Sequence, residues 1–186
     1  MKRLIALILF NTALLAVAET REIGFAHGKN PGWNFFIGME SPGGQGNLVL
    51  MPKPVGEPPL PAARLEGVYR NGGWYTGISY HFPAPVPFRK LQFTVQSRDF
   101  SFVVVRMVDE TGQTHQQRAY FRNDGKWQNL TLKPLKWSPT SWGGAGDGKW
   151  HGKLKSLMFL AEGIALVDKT AGQGSLYFNK ISIETP

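Results

Sequence analysis

The chain has 186 residues, with 21 Lys and Arg against 13 Asp and Glu, a formal charge of +8, and no cysteine. The lack of cysteine excludes disulfides, thiolate metal sites and thiol catalysis, so the core must hold by packing alone. The basic residues are scattered rather than blocked, which excludes a polybasic nucleic-acid arm and fits solubilising charge or an acidic partner.

The chain opens with Lys2 and Arg3, an apolar run from Leu4 to Leu15, and Ala16-Val17-Ala18. This order predicts a secretory signal peptide over residues 1–18, with an apolar run too short for a membrane span. The expected mature chain, residues 19–186, is one domain that is secreted or periplasmic. After export, an anionic polysaccharide or an acidic cell envelope is a better partner for the positive charge than nucleic acid, and a glycan is the expected ligand.

From there the pattern is β. Strands are expected over 33–39, 47–51 and 64–70, ahead of a clear alternation in which Trp74, Thr76, Ile78, Tyr80 and Phe82 interleave with Tyr75, Gly77, Ser79 and His81. Trp33 is read as structural. Trp74 and Tyr75 are consecutive, so at most one of them should line any groove. Two proline stretches, 52–61 and 83–87, are expected to leave the sheets as extended surface links. Leu91, Phe93 and Val95 mark the next strand. The apolar run from Phe102 to Val108 then meets the turn Asp109-Glu110-Thr111-Gly112 and returns over 113–121, a hairpin signal. Further strands are expected over 127–132, 156–161 and 175–184. About ten short strands, with no helical period, predict an all-β antiparallel sandwich.

Between the last of these strands lies Trp137 to His151, W-S-P-T-S-W-G-G-A-G-D-G-K-W-H, which holds three of the six tryptophans. Glycine buries no side chain, and an indole is costly to leave exposed unless something stacks on it. Two readings stand side by side: the indoles of Trp137, Trp142 and Trp150 stack on sugar rings while Asp147 and His151 reach hydroxyls, or they plug one end of the fold while Asp147 caps the turn. On the strand 102–108, Val103, Val105 and Met107 share one face, and Arg106 stands with Phe102, Val104 and Val108 on the other. Its planar fork suits hydroxyl pairs or a carboxylate. On the return strand His115 and Gln117 share a face, and Gln116 and Arg118 share the opposite one. His115 is read as a surface histidine. Candidate ligand residues are therefore Trp142, Trp150, Asp147, His151, Arg106, Gln117, Trp137 and Tyr75.

Three segments carry a family resemblance: the hairpin V-R-M-V-D-E-T-G-Q-T-H-Q (105–116), G-K-W-Q-N-L-T-L (125–132), and W-G-G-A-G-D-G-K-W-H (142–151) followed by the closing strand 174–183. Together, over about residues 64 to 184, they resemble the galactose-binding-like jelly-roll modules of bacterial carbohydrate-active enzymes. The resemblance implies a jelly roll that binds carbohydrate without transforming it, with any catalytic partner on a separate chain. It also allows one structural calcium ion, for which Glu40, Asp168, Asn179 and Glu184 offer oxygen ligands.

Other chemistries have little footing. The four histidines show no zinc-motif spacing, and no G-x-S-x-G elbow or phosphate-binding glycine loop occurs. No pair of carboxylates stands out for glycoside hydrolysis. The competing functions are an envelope protein-interaction module on the same fold and, behind it, a small polysaccharide hydrolase or lyase.

Overall fold

Strict two-residue alternation forces one set of side chains inward and the other outward, and each such strand must find a ladder partner for its backbone. A computed structural model describes residues 18–38 and 43–186. The expected signal peptide (residues 1–17 of it), Met39 and Glu40 lie outside the described residues.

The strands in chain order are β1 (Thr20–Glu22), β2 (Asn34–Ile37), β3 (Gln45–Val55), β4 (Leu60–Val68), β5 (Tyr75–Pro87), β6 (Lys90–Gln96), β7 (Phe102–Asp109), β8 (Thr114–Tyr120), β9 (Gln128–Leu132), β10 (Ser141–Trp142), β11 (Lys153–Glu162) and β12 (Gln173–Glu184). They form two antiparallel sheets. The first has the order β3-β4-β12-β6-β9, with β1 also on β12; the second runs β10-β8-β7-β11-β5-β2. This is the expected antiparallel β-sandwich of jelly-roll type. Among the described residues no helix is long and apolar enough to cross a membrane.

The core lies between the sheets, where Phe93 of β6 and Phe178 of β12 each bring a ring centroid to 5.0 Å from that of Phe159 on β11. Val103, Val105 and Met107 face it from β7, fully buried. Trp33 is also core: its indole packs on Phe25, Tyr80 and Phe159, and its Nε1 donates to Ile23 O at 2.6 Å. A buried indole nitrogen needs that partner.

Both proline stretches depart from expectation, because prolines lie within strands. Pro83, Pro85 and Pro87 belong to β5, while Pro52, Pro54 and Pro61 lie in the β3–β4 hairpin. Proline is tolerated in a strand where its missing N–H would have had no ladder partner. β3 is an edge strand whose register slips between Met51 and Val55. β5 pairs with β2 only from Thr76 to Ser79, and Phe82–Pro85 bulge opposite the single residue Lys155.

β1 and β10 escaped the pattern as well. Thr20-Arg21-Glu22 is polar and exposed throughout, so no alternation marks it; backbone pairing with β12 alone makes it a strand.

Candidate functional site

The outward face of the second sheet gathers the chemistry. On β7 the residues opposite the core side are Phe102, Val104, Arg106 and Val108, and the hairpin register sets Gln116 and Arg118 of β8 beside Arg106 and Val104. On the other side β11 places Met158 beside Arg106 and Leu160 beside Val104. β5 then adds Tyr75 opposite Glu162 and Gly77 opposite Leu160. Phe36 of β2 lies over Gly77, and its ring meets Tyr75 edge-on at 6.2 Å.

Arg106 is the centre of this face. Its guanidinium carbon lies 5.1 Å from the Tyr75 ring centroid and 5.1 Å from that of Trp142, and its Nε donates to Gln116 Oε1 at 2.8 Å. Cation–π contacts on both sides and one hydrogen bond hold the fork in place. Arg118 lies 4.9 Å over Phe102.

Next to this cluster opens a cavity of about 820 Å³. Its sheet side carries Tyr75, Arg106, Arg118 and Glu162, and its rim carries Trp74 and the loop that follows β11. Trp74 is 67% exposed. Trp74 and Tyr75 thus border the same cavity, contrary to the expectation from alternation. The reason is that β5 begins at Tyr75: Trp74 precedes the pleat and is not bound by its period. Burial pushes the Glu162 carboxyl up, and the nearby Arg118 and Arg106 only partly pull it back. Beneath it, burial raises the Tyr69 phenol, whose hydroxyl donates to Ala161 O at 2.8 Å.

The Gly-rich loop is stitched to the β7–β8 turn. Gly148 N donates to Gln113 Oε1, Gln113 Nε2 donates to Lys149 O at 2.7 Å, and Ala145 N donates to Thr111 Oγ1. Gly144 has φ +50°, and a Cβ there would meet Gln113 N at 2.2 Å, so only glycine permits this approach. Asp109, shielded from solvent, anchors both segments. Its carboxylate accepts from Thr111 N, Thr111 Oγ1, Gln113 N, His115 Nε2 and His151 N. Burial raises the Asp109 carboxyl, but these donors together hold it below the ordinary carboxylate value.

The expected ligand residues divide accordingly. Trp142, Arg106 and Tyr75 come together. Trp150 instead packs on Phe88 and His115, with centroids at 5.6 and 5.2 Å, and its Nε1 donates to Gly152 O. His115 is fully buried rather than a surface residue, because it faces inward beside Met107 to meet Asp109. Gln117 is on the side of the sheet opposite Arg106, and its amide donates to Lys133 O at 2.9 Å. Trp137 is 61% exposed, with its indole edge over Gly148, away from the cavity. Asp147 accepts from His151 Nε2 and Lys149 N, both at 3.0 Å. The His151 hydrogen bond first, and the Lys149 amide second, lower the Asp147 carboxyl to about 2. His151→Gln is therefore expected to move the Asp147 titration midpoint back toward 3.8, read from its side-chain carboxyl carbon shift by NMR. An unchanged midpoint would show that the imidazole contributes nothing to that carboxylate.

Three of the four oxygen ligands allowed for calcium are described, and each is engaged separately. Asp168 caps Thr170, Asn179 donates to Pro61 O, and Glu184 pairs with Lys90 and Arg89. Among the described residues no group of three or more His, Asp and Glu is placed to hold a metal ion.

No protein-family model matches the sequence, and neither does any curated protein. Solved structures do share its fold. A carbohydrate binding module of family 29 superposes with a TM-score of 0.55 at 10% identity, covering 91% of this chain and 93% of that one. An agarase matches with a TM-score of 0.54 at 12% identity over 90% of this chain, and an exo-β-agarase with 0.53 at 13% over 88%. In those two enzymes the matched part is only 24% and 25% of their chains. The chain thus has the jelly-roll sandwich of carbohydrate binding modules; at such identities the likeness speaks for the fold alone.

Proposed function

We propose that this chain is an exported, non-catalytic carbohydrate-binding protein whose ligand lies on the outward face of the second sheet. The observation that carries the reading is Arg106, clasped between Tyr75 and Trp142 beside the open cavity rimmed by the exposed Trp74. A sugar ring has an apolar face for an indole and hydroxyls for a guanidinium, so this pairing suits it. The likeness in fold to a carbohydrate binding module supports the same reading. A cavity of this size takes a few sugar units, which leads to weak binding per site.

The non-catalytic part rests on the acids. Among the described residues lining the cavity, Glu162 is the only carboxylate, whereas paired-acid glycoside hydrolysis needs two. An enzyme acting on the same polysaccharide would then be a separate chain.

Retention and intrinsic fluorescence across neutral and acidic polysaccharides test the reading. Trp74→Ala is expected to weaken retention roughly tenfold, since a stacked aromatic contributes about 1–1.5 kcal/mol. The thermal midpoint should stay within about 1 °C, because the indole is largely exposed. A folded protein that ignores every glycan and instead binds one protein with fixed stoichiometry would replace this reading with the envelope-interaction one. Release of reducing ends would replace it with hydrolysis.

A further inference from the structure

The charge around the cavity is lopsided. Arg70, Arg106, Arg118 and Lys169 all line it, and Glu162 is the only acid among its described lining residues. Among the described residues none of these four cations takes part in an ion pair, although Arg64, Arg89, Lys90 and Arg122 elsewhere all do.

What the four do instead leaves donors unspent. Arg106 uses its Nε on Gln116 and Arg70 uses Nε and one terminal nitrogen on Ala171 O. Lys169 Nζ donates to Ile164 O, and Arg118 stacks on Phe102. A guanidinium has five N–H donors and an ammonium three, so among the described residues most of each group's capacity has no partner. The cations also come from four separate places in the chain: the turn after β4, the paired strands β7 and β8, and the loop after β11. Scattered surface lysines would not be expected to converge on one concavity. Four like charges gathered beside a single acid repel, and a concave, low-dielectric wall strengthens the field they project.

We infer that the cleft takes an acidic glycan, one bearing carboxylate or sulfate groups, with Arg70, Arg106, Arg118 and Lys169 meeting the anion while Trp74 and Tyr75 meet the sugar ring. This rests on the carbohydrate-binding reading of the same cleft. Glu162, on the same cavity wall, is the carboxylate whose charge tempers Arg106 and Arg118, so removing its charge should favour the ligand.

Affinity electrophoresis with matched polysaccharide pairs tests this: polygalacturonate and its methyl ester, alginate and its propylene glycol ester, and a sulfated galactan before and after desulfation. The charged member of at least one pair should retard the protein roughly tenfold more than its neutral form, less so as salt rises. Lys169→Gln and Arg118→Gln should each weaken that retention several-fold, and Glu162→Gln should strengthen it. Lys180→Gln, on the first sheet, should leave it unchanged. The gain from Glu162→Gln cannot come from a folding defect.

Equal or better retention by the neutral members would overturn the acidic ligand and keep the carbohydrate reading. Equal losses from Lys180→Gln and Lys169→Gln would overturn the cleft as the place where charge is read. No retention on any member of any pair, or on neutral mannan, cellulose or agarose, would overturn both readings together.

Discussion

Arg106→Ala is expected to weaken polysaccharide binding by about 30- to 100-fold, the largest loss of any single change at the cleft. Two contributions add. The first is the direct loss of charge-assisted hydrogen bonds to the ligand, worth about 1.5–3 kcal/mol. The second is positional: the guanidinium is the contact that Tyr75 and Trp142 share, each ring centroid lying 5.1 Å from its carbon. Without it, both rings lose the cation they face. Arg106→Lys separates these contributions. It keeps the positive charge but not the planar fork, and it cannot reproduce the Nε bond to Gln116 while stacking on both rings. Titration calorimetry should therefore place Arg106→Lys between wild type and Arg106→Ala. If Arg106→Ala binds as wild type does, the ligand lies elsewhere and the clasp only supports the fold.

The second large effect concerns stability. Asp109→Ala is expected to cost about 3–5 kcal/mol, because it removes a solvent-shielded carboxylate and strands its donors. Those donors are Thr111 N, Thr111 Oγ1, Gln113 N, His115 Nε2 and His151 N. The His151 bond fastens the Gly-rich loop, so the loop should loosen together with the turn. Denaturant unfolding should show a lower midpoint, and trypsin should cut faster after Lys149. The pH dependence follows in sign. The folded pKa of Asp109 is lowered from the ordinary 3.8, so its contribution is fully present above that value and is lost as pH falls through the folded pKa. Asp109→Ala should accordingly show a flatter acid limb than wild type. A loss below about 1 kcal/mol would mean that water or Glu110 takes over the donors.

The contrast between these two residues explains the role of the Gly-rich loop. In sequence it is the most conspicuous feature, and it supports a ligand reading and a plug reading equally. In the structure its indoles part ways: Trp150 packs on Phe88 and His115, while Trp142 turns to Arg106. Asp147 and His151 bond to each other and to the loop backbone. Composition alone has no means of dividing the three indoles, because burial is a property of what packs against them.

Much of the fold was legible because a period of two is a local property. The alternation from Trp74 to Phe82 and the apolar run from Phe102 to Val108 mark strands before any partner is known. The hairpin at Asp109–Gly112 even sets Arg106 opposite Gln116, because a tight turn fixes register. The errors fell where local pattern and pairing part company. Proline by its chemistry predicts surface links, yet edge positions in β3 and the bulged end of β5 spare it. A lone histidine on a polar strand predicts exposure, yet His115 is buried against Asp109, six residues upstream in the chain.

Local pattern is enough to specify an all-β chain without disulfides, rich in positive charge, with Arg106 isolated among apolar neighbours on one strand face. It could not bring Tyr75, Glu162 and Arg106 together. That happens because β11 inserts between β5 and β7, with Tyr75 opposite Glu162 on one side and Met158 beside Arg106 on the other. Ladder hydrogen bonds are made by backbone groups that every residue shares, so they carry no local signature of which distant strand will be the neighbour. Only the closing of both sheets over one core selects that order. The same closure carries Arg70 and Lys169 to the rim of the cavity, turning dispersed charge into a cleft.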